Sequence, residues 1–191
     1  MTISPTLVTE RLTIRPWRPD DAPAALETYG HQEVARWLSP AMNRVHDLAA
    51  MRLVLQQWMA EDLRLGSPAG RWAIERTDDR RVIGGAALLP LPPGDEDLEI
   101  GWQLTPGVWG KGYASETTFW LASWAFAQGV DELFAVVRPE NTRAAATVRR
   151  HGMHWVGETT KYFGLELQVF RLRAADLDSA APTAHQPPNY A

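Results

Sequence analysis

Apolar residues recur along this chain with two periods, and the switches between them divide it into elements. In residues 7–17, Leu12 and Ile14 alternate with Arg11, Thr13 and Arg15. That period of two predicts a strand ended by Pro16. Asp20 and Asp21 then supply cap and first-turn acids for a helix reaching Tyr29. A short helix is expected over 33–38, stopped by Ser39-Pro40. Over 47–65, Met51, Val54, Leu55, Trp58 and Met59 fall three and four apart, the spacing of a helix face. Gly66-Ser67-Pro68-Ala69-Gly70 breaks that pattern. Strands are expected at 72–76, 82–89 and 98–104, with a turn at Asp78-Asp79-Arg80. The Gly84-Gly85 pair inside the second strand predicts a bulge or a close approach. A helix over 113–128 ends at Gly129, a strand covers 133–137, and a helix over 141–151 ends at Gly152. Strands at 155–162 and 167–172 close the pattern. From Ala174 the chain turns small, polar and Pro-bearing, which predicts a disordered tail over 174–191.

The order is β-α-α-α-β-β-β-α-β-α-β-β. It predicts one α/β domain over residues 1–173, with a sheet antiparallel in its first half and mixed in its second. A chain of 191 residues is long enough for a single substantial core. At 45% hydrophobic and 22% charged residues its composition is that of a soluble globular protein. A net charge of −4 argues against a nucleic-acid binder, which needs a basic footprint. There is no cysteine, so thiolate metal sites and disulfides are excluded. No metal site is expected; His151 and His154 lie past a helix end without metal spacing and read as a charge complement to that end. No run of 18 apolar residues and no leader is present, so a cytoplasmic protein without membrane contact is expected. Nine tryptophans must find places in the core or in pocket walls.

The chemistry concentrates in Gly107-Val108-Trp109-Gly110-Lys111-Gly112-Tyr113-Ala114, between a strand and a helix. Glycines leave backbone N–H groups bare, and the helix directs its positive end at them, so the loop suits a phosphate or pyrophosphate. A Walker loop needs Ser or Thr after its lysine, whereas Lys111 precedes Gly112. A dinucleotide loop needs a third glycine after the first strand of a βαβ unit, and this loop follows an antiparallel meander.

Gly110-x-Gly112-x-Ala114 resembles the pyrophosphate loop of the GNAT acyl-CoA N-acyltransferases. Asn141, opening a helix that closes on Gly152-Met153, is similar to a later motif of that family. The opening from Leu7 to Pro16, and Glu99-Ile100-Gly101-Trp102 before the loop, resemble the branch that acetylates ribosomal-protein N-termini. The resemblance covers about residues 7–173 and implies a GNAT-like mixed, centrally splayed sheet flanked by helices. It implies acetyl-CoA as acyl donor, an amine acceptor, no metal, and a monomer or homodimer. It places cofactor contacts at Trp102, Gln103, Leu104, Trp109, Gly110, Lys111, Gly112, Tyr113, Ala114, Ser115 and Asn141, and a catalytic base at Glu99. Arg143, Arg149 and Arg150 are further phosphate candidates, although a solvated helix face accounts for at least two of them. Trp37, Met42 and His46 fall where relatives cap the acceptor cleft. Asp95, Glu96 and Asp97 form an acidic loop that would draw a cationic acceptor or simply solubilise the chain.

Four positions bear comparison with the family. Trp109 stands where Gln or Arg is usual, Ala144 where Ser or Ala is common, Val148 where the family's usual tyrosine general acid would fall, and Met153 where Phe is usual. No general acid is therefore assigned. Direct transfer needs a neutral amine. A protein α-amine, with pKa ~7.7–8.0, needs less base assistance than a lysine at ~10.4. The expected activity is acetyl transfer to a protein or peptide α-amine. Transfer to a small amine (a polyamine, amino acid or aminoglycoside-like amine) stays open. So does a weakly active acyl-CoA-binding sensor or scaffold module, favoured by the missing acids.

Overall fold

A computed structural model of the chain describes residues 5–38, 40–92, 97–162 and 164–179. Its elements are β1 (Leu7–Val8), β2 (Leu12–Pro16), α1 (Ala22–Tyr29), α2 (Gln32–Leu38), α3 (Leu48–Asp62), β3 (Gly70–Arg76), β4 (Val82–Pro90) and β5 (Leu98–Leu104), followed by α4 (Tyr113–Ala127), β6 (Glu132–Val137), α5 (Thr142–Arg150), β7 (His154–Thr159), β8 (Leu167–Arg173) and α6 (Ala174–Ser179). All eight strands form one sheet in the order β1-β2-β3-β4-β5-β6-β8-β7.

The strand expected over 7–17 is in fact a hairpin. Thr9 turns the chain, its N–H donating to the Leu12 carbonyl at 2.8 Å while its hydroxyl accepts from the Leu12 N–H at 2.9 Å. Such side-chain-to-backbone bonds offer the chain an alternative to extension. Leu7 then pairs Ile14 across the hairpin. The tail also begins later than expected: residues 174–179 are helical, and Leu177 is buried in the core. The disorder expected beyond residue 179 lies outside the described residues, as do Asp95 and Glu96 of the acidic loop.

Alternation along β3 sends neighbouring side chains to opposite faces. Trp72 and Ile74 join a core with α4 and α5, while Ala73 joins a second core with α1 and α3. Helix α4 is buried through Thr117, Thr118, Trp120, Leu121, Ala122, Trp124 and Ala125. Trp124 packs edge-on to Trp72, ring centroids 5.6 Å apart. Below α1, Arg15 is buried between two carboxylates, with both terminal nitrogens 2.8 Å from Asp21 and Nε 2.8 Å from Glu75. This network ties the start of α1 to β2 and β3.

The sheet is antiparallel except where β5 meets β6, and there a single pair, Glu99 with Phe134, is in register. Beyond Glu99 the strands diverge. β5 stays paired to β4 through Leu104 on its other edge. The splay opens a cavity in the middle of the sheet. Among the described residues, no helix is long and apolar enough to cross a membrane.

Candidate active site

The cavity at the splay has a volume of about 790 Å3. Ten of the eleven expected cofactor residues line it: Trp102, Gln103, Leu104, Trp109, Gly110, Gly112, Tyr113, Ala114, Ser115 and Asn141. Glu99 lines it too. Lys111 does not. It faces a separate cavity of about 170 Å3 with Arg76, Arg81 and Thr105.

The loop owes its shape to its glycines. Gly110 has φ +76° and Gly112 φ +82°, in the left-handed region where a side chain is strained. Gly112 is also the N-cap of α4. The loop is held from two sides. Trp109 Nε1 donates to the Leu104 carbonyl at 2.8 Å, and Arg11 Nη1 donates to the Lys111 carbonyl at 2.9 Å. Arg11 Nε also meets Glu116 Oε2 at 2.7 Å, and the Thr9 hydroxyl donates to Glu116 Oε1 at 2.5 Å. The β1–β2 turn therefore braces the first turn of α4. Nothing local in the sequence joins residues a hundred positions apart.

Asn141 caps α5, accepting from the Ala144 N–H at 3.2 Å. Of the three basic candidates on α5, Arg143 and Arg150 line the cavity, whereas Arg149 lies over the Phe170 ring. Arg143 stacks on Trp109, 4.0 Å from the ring centroid. Val148, at the position where relatives would carry a tyrosine, is fully buried.

At the opposite end the walls are aromatic. Trp17, Tyr29 and Trp58 pack against one another with centroids 5.1–6.3 Å apart. The Tyr29 hydroxyl donates to Gln103 Oε1 at 3.3 Å, and burial raises its pKa. Trp37 and Met42 line the cavity, but His46 is exposed and Asp97 does not reach it. Five of the nine tryptophans thus serve as cavity walls; Trp155 alone is largely exposed.

Glu99 sits between the two ends, half-buried, at the last point where β5 and β6 touch. Burial raises its carboxyl to about 7, against an opposing hydrogen bond from the Val136 backbone. His151 departs from expectation. It is buried edge-on to Trp102, and burial with Arg150 nearby lowers its pKa to about 4. It is neutral near pH 7 and supplies no charge to the helix end. Exposed His154 instead lies 3.4 Å from Asp176. Among the described residues, no cluster has metal-ligating composition.

The chain belongs to the acetyltransferase (GNAT) domain family, which it matches over residues 11–154. It is 32% identical over 138 residues to the uncharacterized N-acetyltransferase p20 of Bacillus licheniformis, covering 72% of this chain and 75% of that one. Solved structures sharing the fold include Mycobacterium smegmatis RimJ in complex with CoA-disulfide, at TM-score 0.73 and 20% identity over 92% of this chain and 88% of that one. Another is ribosomal-protein-S5-alanine acetyltransferase from Vibrio fischeri, at TM-score 0.71 and 18% identity over 93% and 99%. The chain is an N-acetyltransferase of a family whose acyl donor is acetyl-CoA.

Proposed function

We propose that the acceptor is the α-amine of a protein or peptide, that transfer is direct, and that Glu99 is the base. The observation carrying this reading is the Glu99 carboxyl, raised to about 7, on the cavity that joins the glycine loop to the aromatic end. A base with that pKa is matched to an amine at ~7.7–8.0 and poorly matched to a lysine at ~10.4. In this reading the backbone N–H groups of Gly110 to Ser115 hold the pyrophosphate at the N-terminus of α4, and Asn141 meets the pantetheine arm. The strand edge from Trp102 to Leu104, left without a partner by the splay, donates to the carbonyl oxygen as charge develops there. Glu99 takes the proton released by the attacking amine. A thiol leaving group with pKa near ~8.5 departs without a strong acid, which accommodates the buried Val148.

The test is the pH profile of kcat/KM for a peptide acceptor. Glu99 works as its carboxylate, so the rate rises with pH through about 7. Glu99→Gln removes that limb, lowers the rate about 10²–10⁴-fold and leaves acetyl-CoA affinity unchanged. The limb from the amine's own ionisation remains. An unaltered profile in the variant would take the base role away from Glu99.

A further inference from the structure

The charged side chains along the cavity bear on which amine it receives. Besides Arg138, Glu140, Arg143 and Arg150 on and before α5, four line it: Glu33 and Arg36 on α2, Arg71 on β3 and Glu99. Arg71 is already engaged, with Nη1 2.7 Å from Asp62 and Nη2 2.9 Å from Glu61. Arg36 is not. It is exposed at the mouth, its guanidinium lies 4.3 Å over the Trp37 ring, and it joins no ion pair among the described residues. Glu33 is one turn away on the same helix yet makes no bridge to it. A guanidinium held by its face on a ring keeps its in-plane N–H donors for a planar anion. Trp17, Tyr29 and Trp58 form an apolar wall of the same cavity.

We infer that the acceptor carries a carboxylate beyond its amine: Arg36 binds the carboxylate, the Trp17–Tyr29–Trp58 wall takes an apolar or aromatic side chain, and the amine is delivered to Glu99. The inference rests on the α-amine reading above, and its free-amino-acid arm extends that reading beyond proteins and peptides. Polyamines and aminoglycoside-like amines, which bring no carboxylate for Arg36, are poor acceptors. The carboxylate has two sources, a free amino acid or an acidic residue following the first residue of a peptide.

Both sources are tested in one experiment. Thiol release from acetyl-CoA is measured with phenylalanine against its carboxamide. It is also measured with a peptide amide bearing phenylalanine then aspartate, against the same peptide with asparagine, and with spermidine. A charge-assisted bidentate contact predicts a preference of about tenfold or more in kcat/KM for the carboxylate member of at least one pair. The pair that shows it identifies the source. Arg36→Ala abolishes the preference and Arg36→Lys retains part of it, while both variants bind acetyl-CoA as the wild type does. The same acceptors are titrated calorimetrically into the protein–CoA complex. If no acceptor turns over, the α-amine reading falls, and the binding preference still decides the role of Arg36. Equal handling of carboxylate and carboxamide by the wild type overturns the inference. So does a preference for spermidine, or a carboxylate preference that survives in Arg36→Ala.

Discussion

Arg143 occupies the place at the loop that a side-chain cation is best suited to fill. It stacks on Trp109 at 4.0 Å, lines the cavity beside Gly110, and joins no ion pair among the described residues. Its in-plane donors are free for a phosphate. Arg143→Ala is expected to weaken CoA binding about tenfold, the scale of one charge-assisted hydrogen bond. It should also flatten the salt dependence of that binding and leave pantetheine, which lacks the nucleotide phosphates, unaffected. Calorimetry at two ionic strengths reads all three; equal losses for CoA and pantetheine would mean the side chain shapes the loop instead. Beside Arg143 as a further phosphate candidate, the sequence also offered Lys111, which lies inside the glycine motif. Its direction depends on two left-handed glycines flanking it, and no periodicity encodes that. Gly110 and Gly112 stood out through their local spacing, the family resemblance pointed to Asn141 and Glu99, and all four line the cavity. The Arg11–Glu116 brace and the Arg15–Asp21–Glu75 network were not legible, because their members meet only after the sheet has closed.

Among the elements, β4 carries both features that the sequence offered as alternatives for Gly84-Gly85, a bulge and a close approach. Ile74 pairs Gly84 and Glu75 pairs Val82, so Ile83 is the extra residue of a bulge. Its carbonyl accepts both from the Thr105 N–H at 2.9 Å and from the Thr105 hydroxyl at 3.1 Å, tying down the chain after β5. A Cβ on Gly84 would come within 2.0 Å of the Gln103 carbonyl oxygen. One on Gly85 would come within 2.3 Å of the Tyr29 hydroxyl and 2.7 Å of Trp17. Each substitution to Ala is expected to cost about 1–3 kcal/mol, the usual scale of overpacking. The kinetic effects should separate. Gly84→Ala pushes on β5 from its β4 side, displaces the residues whose splayed edge is assigned to the thioester and raises KM for acetyl-CoA, whereas Gly85→Ala pushes on the aromatic wall and raises KM for the acceptor. Denaturant unfolding and steady-state kinetics on the two variants check this; a shift in the same constant for both would contradict the division of the cavity. Strand and helix order were legible throughout, since period-two and helical runs survive in each segment. The hairpin was missed because one threonine turns the chain through bonds to Leu12 that leave the period-two run unbroken, and α6 because Leu177 finds its place in a core built from distant elements.

For the whole molecule, the consequential feature is that two halves of one sheet are joined at a single residue pair, Glu99 with Phe134, and share a cavity on the open side. The first half carries the glycine loop and α4, and the second carries Asn141 and Arg143 on α5. A ligand spanning the loop and α5 therefore bridges halves that the backbone ladder leaves apart, and its binding energy adds to the stability of the folded state. At a hundred times Kd a ligand of the native state contributes ~2.7 kcal/mol. With ~2–4 °C per kcal/mol for a domain of this size, acetyl-CoA is expected to raise Tm by about 5–10 °C. ATP and NAD should not, because the loop lacks the hydroxyl of a Walker motif and the third glycine of a dinucleotide motif. Amide exchange adds the location: the groups from Trp102 to Leu104 on the splayed edge should gain protection with acetyl-CoA, and β3, already paired on both sides, should change little. A rise in Tm with ATP or NAD would assign the loop to a nucleotide. A rise with acetyl-CoA but no protection on β5 would place the thioester elsewhere, and with it the role given to the splay.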